Sequence, residues 1–248
     1  MLEVRVLEYW RKRYVKQAVI VAVLAGSSAG AGVFFAPYFL VKVLALSLGF
    51  VFFYVMFKAI KDDFQARFEG ALLMDAVLKF PTLSFDIGRG NGEDALLSQS
   101  VCPAYSVYEC FNVISGQNFS FEEVQLLEDI RFLGFALPVF DGVILRLNTT
   151  KDLSPAQGTV KFFNKKLIFA GETAPLLQEL KSEVASLLQH FAVKEAKVCV
   201  DNSKVYFWLD KAQKLYRQTK LFSYNPPSLF DKKIEALQTT AKALADKF

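Results

Sequence analysis

The sequence predicts an α+β protein: an N-terminal two-helix transmembrane hairpin, then a mixed helix and antiparallel-sheet domain, then a C-terminal amphipathic helix. Three observations predict it. Between Val15 and Phe57 the only charged residues are Lys16 and Lys42. From Leu83 to Leu209, aromatic and β-branched runs broken by turn residues share the chain with one strongly periodic helical stretch. From Phe230 to Phe248, apolar residues step by four and three. The expected segments are a basic amphipathic stretch at 1–16, a hairpin at 17–57 with spans 17–36 and 38–57, a stalk helix at 58–80, an α+β domain at 81–225, and the terminal helix at 228–248.

The first segment mixes apolar bulk and charge at Val6, Tyr9, Trp10 and Arg13, which suits a helix lying at headgroup level. The next 43 residues, Val15 to Phe57, would extend about 65 Å as one straight helix, against about 30 Å of hydrocarbon. The chain therefore turns. Pro37 removes a backbone donor and disfavours helix at Ala36, so it marks the turn. Tyr38 and Lys42 suit the far interface, Lys42 by snorkelling. Trp10, Arg11, Lys12 and Arg13 precede span one, and Lys58 and Lys61 follow span two, so both basic clusters fall at one end of the hairpin. The positive-inside rule then puts both termini in the cytoplasm. Counted outward from Pro37, Gly30 matches Ala45 in depth and Gly26 matches Gly49, which predicts small-on-small packing of the spans. A homodimer through Gly26-x-x-x-Gly30 is the alternative use of those glycines. A cleaved signal peptide ending near Ala29-Gly30-Ala31 is another reading, and it leaves the downstream domain on the same side.

Charge is divided along the chain. The net +4 hides eight basic against two acidic residues (+6) in residues 1–61, and 21 against 23 (−2) in the remainder. The downstream domain is therefore not basic, which argues against nucleic acid as a partner. The three cysteines, Cys102, Cys110 and Cys199, show neither metal-ligand spacing nor an even count and read as buried apolar side chains. In a cytoplasmic domain the sequons at Asn118 and Asn148 are chance matches.

Beyond the hairpin, Ile60, Phe64, Phe68 and Leu72 recur every four residues, the pattern of a stalk that Pro81 stops. Leu83, Phe85 and Ile87 alternate as a strand. Tyr105 to Asn148 reads mostly as strands: Tyr105–Ile114, Phe119–Leu126 with one irregularity, Ile130–Leu137 and Val143–Leu147. Pro138 and Asp141-Gly142 are expected to be turns between them. A hairpin is expected around Asn164. Thr173 opens a single helix with Leu177, Leu180, Val184, Leu187, Leu188 and Phe191 on one face. Val198 to Leu209 is expected to fold as a hairpin about Asp201-Asn202-Ser203, followed by a short helix from Lys211 to Leu221. Ser228 and Asp231 resemble a capping box, and Phe230, Ile234, Leu237, Ala241, Leu244 and Phe248 form a seam for docking on the domain or stalk, or for self-association.

Little in the chain speaks for chemistry. Gly88, Gly90 and Gly92 imitate a dinucleotide loop, but Glu93-Asp94 puts two negative charges where a phosphate would sit. A turn or linker is the simpler reading. His190, the sole histidine, sits near a helix C-terminus, where a cation is favoured and a structural role suffices. The pairs Glu122-Glu123 and Glu128-Asp129 read as solvated strand edges. No cofactor, metal or catalytic constellation is expected.

Two N-terminal spans, Tyr105-Ser-Val-Tyr-Glu-Cys-Phe111, Ile114-Ser-Gly-Gln-Asn-Phe-Ser-Phe-Glu-Glu-Val124 and Phe132-Leu-Gly-Phe135 together resemble a family of uncharacterised bacterial membrane proteins. The stretch between Leu127 and Ile130 is shorter than that family's pattern. The resemblance implies this architecture and a bacterial inner-membrane location, and it brings no reaction with it. The expected function is a non-enzymatic, membrane-anchored scaffold or partner-binding module, with the lipid bilayer and a protein partner or a second copy as partners. A domain binding a lipid or small apolar ligand, and an enzyme of unrecognised type, are the alternatives.

Overall fold

A computed structural model describes residues 4–64, 70–87, 102–130, 135–163, 166–212 and 227–248. They divide into two compact units: one holds helices through Asp75, the other runs from Ala76 and includes the helix that begins at Pro227 from Ser228 onward.

In the first unit, α1 (Val4–Phe35) and α2 (Phe39–Phe64) are antiparallel neighbours. Within them, Glu8–Phe35 and Phe39–Lys61 are each long and apolar enough to cross a membrane. The break at Ala36–Tyr38 lies where Pro37 removes a donor. Helix α1 runs without interruption from Val4, so residues 4–16 continue into the span rather than forming a separate helix; no breaker separates Trp10 from the span that follows.

The helices meet along a narrow stripe. Tyr14, Ala18, Val21 and Ala25, spaced 4-3-4, are buried on α1. The Tyr14 hydroxyl donates to Asp63 at 2.7 Å, and its ring meets that of Phe64 edge-on at 5.3 Å. Farther along, a Cβ placed on Gly49 would lie 2.7 Å from that of Ala29, and one on Gly32 would lie 2.8 Å from that of Ala45. Ala45 and Gly49 thus face α1, whereas a Cβ added to Gly26 or Gly30 would meet nothing within 4 Å outside its own helix turn. The partners on α1 are Ala25, Ala29 and Gly32. Ala25 and Ala29 precede the two expected glycines by one residue, about 100° around a helix. The cause is rotation. Tyr14 and the stripe behind it fix which face of α1 turns inward, and counting from Pro37 cannot see that.

A third helix, α3 (Gly70–Leu78), follows. The stretch expected as a stalk is helical up to Phe64 and again from Gly70 to Leu78, and Phe68 lies outside the described residues.

The second unit is built on six antiparallel strands: β1 (Ser84–Ile87), β2 (Val107–Ser115), β3 (Phe119–Ile130), β4 (Phe135–Phe163), β5 (Lys166–Gly171) and β6 (Glu195–Asp210). Their order is β1-β2-β3-β4-β5, with β6 also paired to β4. Helices α4 (Ala174–Glu179) and α5 (Lys181–His190) precede β6, and α6 (Pro227–Lys247) closes the chain.

Three expectations are corrected here. Pro138 and Asp141-Gly142 are not turns, because β4 passes straight through them. Leu127 pairs with Pro138 and Leu126 with Phe140, so Val139 is a bulged extra residue beside the proline, a place where a missing donor is tolerated. Gly142 is needed for close approach instead: a Cβ there would meet the Leu209 carbonyl oxygen of β6. Second, Val198–Leu209 is not a hairpin. All of β6 pairs with β4, from Lys161↔Glu195 to Gly142↔Asp210. Asp201–Ser203 is a bend in that ribbon, where Asn202 has φ 51° and the register slips between Asn148 and Ala156. Third, the helix from Thr173 is two helices, broken at Leu180 with φ −102° and ψ 23°. Its six expected apolar residues are all buried. The expected hairpin forms between β4 and β5, Phe163 pairing with Lys166. Gly88–Gly92, Asn164, Phe132 and the helix expected over Lys211–Leu221 lie wholly or mostly outside the described residues.

Both faces of the sheet carry core. On one, Phe121 lies 5.7 Å from Phe191 at the end of α5, and Phe207 lies 6.3 Å from Phe248 beyond α6. Ile234, Leu237, Ala241, Leu244 and Phe248 are buried. The helix is tied to its own unit by Lys79–Asp231 (2.8 Å), Lys247–Glu183 (2.6 Å), Gln238–Thr82 (2.8 Å) and Ser186–Thr240 (3.2 Å). The Phe230 side chain lies outside the description. On the other face Val124, Leu126, Phe140, Ile144, Cys199, Tyr206 and Trp208 form one cluster, with Cys102, Tyr105, Tyr108 and Cys110 packed against it.

Candidate ligand cleft

That second cluster floors a cleft of about 530 Å³, within the size range of small-molecule sites. Its apolar surfaces come from Pro103, Val139, Phe140, Val193 and Trp208, and its charged ones from Lys194, Glu195, Lys197, Asp210 and Lys211. Both ends of β6 contribute. A straight 16-residue strand spans about 50 Å, too far for Lys197 and Asp210 to line one cleft. The bend at Asn202 makes the site, and Cys199 lies in the same cluster as Tyr206 and Trp208 for the same reason.

Local chemistry fixes the rim. The chain leaves α5 through a Schellman motif: the Ala192 amide donates to the Gln189 carbonyl at 3.1 Å and the Val193 amide to that of Leu188 at 3.0 Å. Ala192 accordingly sits at φ 52°, where an L side chain costs about 1–2 kcal/mol relative to glycine. Lys211, at φ 53°, is held by its amide on the Asp141 carbonyl at 2.9 Å. Val139 reaches the floor because it is the bulged residue beside Pro138. Trp208 and Phe140 stand edge to face at 5.1 Å, and both are buried.

The charge balance favours anions. Glu195 is engaged by Lys161 at 3.1 Å, a cation outside the lining. Among the described residues Lys194, Lys197 and Lys211 stand against Glu195 and Asp210, one positive charge in excess. Among the described residues no histidine, cysteine, serine or threonine lines the cleft, and those that do offer lysine and carboxylate groups over an aromatic floor.

Groups singled out in the sequence lie elsewhere. His190 is pushed below the ordinary histidine range by burial and then by Lys233, so the neutral ring, not the expected helix-end cation, is favoured. Cys102 and Cys199 thiols are pushed up by burial, away from nucleophilic thiolate. Glu122 and Glu123 are buried and are not a solvated edge, because β3 is flanked by β2 and β4. The Ser120 hydroxyl donates to Glu122 at 3.1 Å. Burial also raises the phenol of Tyr206, whose strand neighbour Arg146 opposes the shift. Among the described residues no group of His, Cys, Asp and Glu is arranged to hold a metal ion.

At the hairpin, Arg11 donates to Glu8 at 2.7 Å, and the Arg13 guanidinium lies 5.4 Å from the Trp10 ring centroid. Lys12, Tyr38, Lys58 and Lys61 are exposed and Lys42 is half-buried. The cleft itself is what the sequence reading missed. Lys194–Lys197 and Trp208–Lys211 each look like an ordinary charged strand end, and only the bend joins them. Comparison with family models, curated proteins and solved structures finds no match to this chain, so the family resemblance gains no support there.

Proposed function

We propose that the chain is a bacterial inner-membrane protein with two spans, both termini and the α+β domain in the cytoplasm, and that the domain is a non-enzymatic binding module held at the membrane. The observation that carries this reading is the outer surface of the α1–α2 pair. Val19, Val23, Leu24, Phe34, Leu40, Leu44 and Phe50 are all exposed on it, far more contiguous apolar surface than water tolerates. Tyr14 bonded to Asp63 brings Arg11, Lys12, Arg13 and Lys16 to the same end as Lys58 and Lys61. That end belongs on the cytoplasmic side.

The terminal seam is buried in its own unit, which takes self-assembly through that helix out of the reading and leaves the cleft as the binding surface. A protein partner or a second copy of the chain remains compatible with the hairpin, where Gly26 and Gly30 face outward. Reporter fusions after Lys58, and after Phe248 through a flexible linker, test the placement. A cytoplasmic reporter is active at both positions; activity of an exported reporter at either overturns it.

A further inference from the structure

We propose that the cleft over Trp208 binds a small organic anion: a phosphate or carboxylate joined to a flat apolar body. The inference rests on reading the domain as a binding module and names what it takes. Lys194 and Lys197, three residues apart at the start of β6, and Lys211, just past its other end, line one cleft. They sit over an aromatic floor, and among the described residues the lining holds these three lysines against two carboxylates, Glu195 and Asp210. Val139 and Val193 in the lining suit an apolar body, and Trp208 and Phe140, packed edge to face, belong to the same lining. The anion is held at the rim and the body below, so neither half alone should bind well.

The source of such a ligand is either a soluble anion or a lipid headgroup with the start of its chain, and the two share this chemistry. The test is isothermal titration calorimetry on the full chain in nanodiscs, with 1-naphthyl phosphate as the probe. Inorganic phosphate supplies the charge alone and 1-naphthol the body alone. The expected result is saturable binding of naphthyl phosphate, at least about tenfold tighter than either control. The triple variant Lys194→Gln, Lys197→Gln, Lys211→Gln should weaken it by a further factor of about ten or more. All three lysines are exposed, so the variant is expected to keep its fold, which its thermal midpoint checks.

Equal affinity in zwitterionic and anionic discs at high salt assigns the site to a soluble anion. Loss confined to anionic discs assigns it to a headgroup. No binding, naphthol binding as tightly as its phosphate, or indifference to the lysine changes overturns the proposal. The titration does not depend on topology, so a failed placement and a failed ligand class are told apart.

Discussion

Truncating Leu244 to alanine tests how α6 is used. The side chain is 0% exposed, one turn before Phe248, whose ring meets Phe207. Removing it deletes buried carbon worth about 2 kcal/mol of transfer free energy at roughly 0.8 kcal/mol per methylene. The residual cavity brings the loss to about 2–5 kcal/mol. Lys247→Ala is the control on the same helix. Its bridge to Glu183 is short at 2.6 Å but partly exposed, so its loss costs at most about 1 kcal/mol.

The assay is urea unfolding of the full chain in detergent. It is followed by Trp208 fluorescence in a Trp10→Phe background, since the chain has two tryptophans. With a urea slope of about 2 kcal/mol per molar, Leu244→Ala lowers the midpoint by about 1–2.5 M and Lys247→Ala by less than about 0.5 M. Docking within the chain makes the shift independent of protein concentration. A shift no larger than that of Lys247→Ala, or one that vanishes as the protein is concentrated, would refute intrachain docking and restore self-association through the seam.

Three further outcomes follow from the packing and the electrostatics. A disulfide between Gly32→Cys and Ala45→Cys should form within one hairpin; Gly49→Leu should reduce its yield sharply and Gly26→Leu should not, and the reverse pattern would place the packing face where the glycine spacing alone puts it. In acid, the Glu183 carboxyl is held down to about 2 from 4.5, first by the Lys247 ammonium and then by the Ser182 hydroxyl. Its stabilisation is therefore complete above 4.5 and fades as pH falls toward about 2, so Glu183→Gln should flatten that part of the stability profile. His190, with its folded value lowered below 6.5, adds stability above 6.5 that is lost below it, and His190→Gln should remove that earlier step.

Elements whose signal is local were legible in the sequence. Pro37 between two apolar runs, the six-residue apolar face from Leu177 to Phe191, the strand pair around Asn164 and the stepped helix from Ser228 all depend on neighbours within a few residues. Pro138, Gly142 and Asp201–Ser203 misled because the same residues serve two purposes. Proline marks a turn or a bulge, glycine a turn or a close approach, and a polar triplet a hairpin tip or a bend in a longer ribbon. What decides between them is the partner strand, and β6 lies about 60 residues beyond Gly142 in the chain.

The sequence by itself determined the apolar hairpin, the α+β layout and the amphipathic terminal helix, because each follows from periodicity and from backbone chemistry that acts locally. Tertiary structure alone decided which face of α1 meets α2, that the terminal seam is spent on its own unit, and that lysines at both ends of β6 share a cleft. Rotation about a helix axis and the bend of a 29-residue strand against a 16-residue one are set by contacts summed over distant residues. No window of sequence contains those contacts.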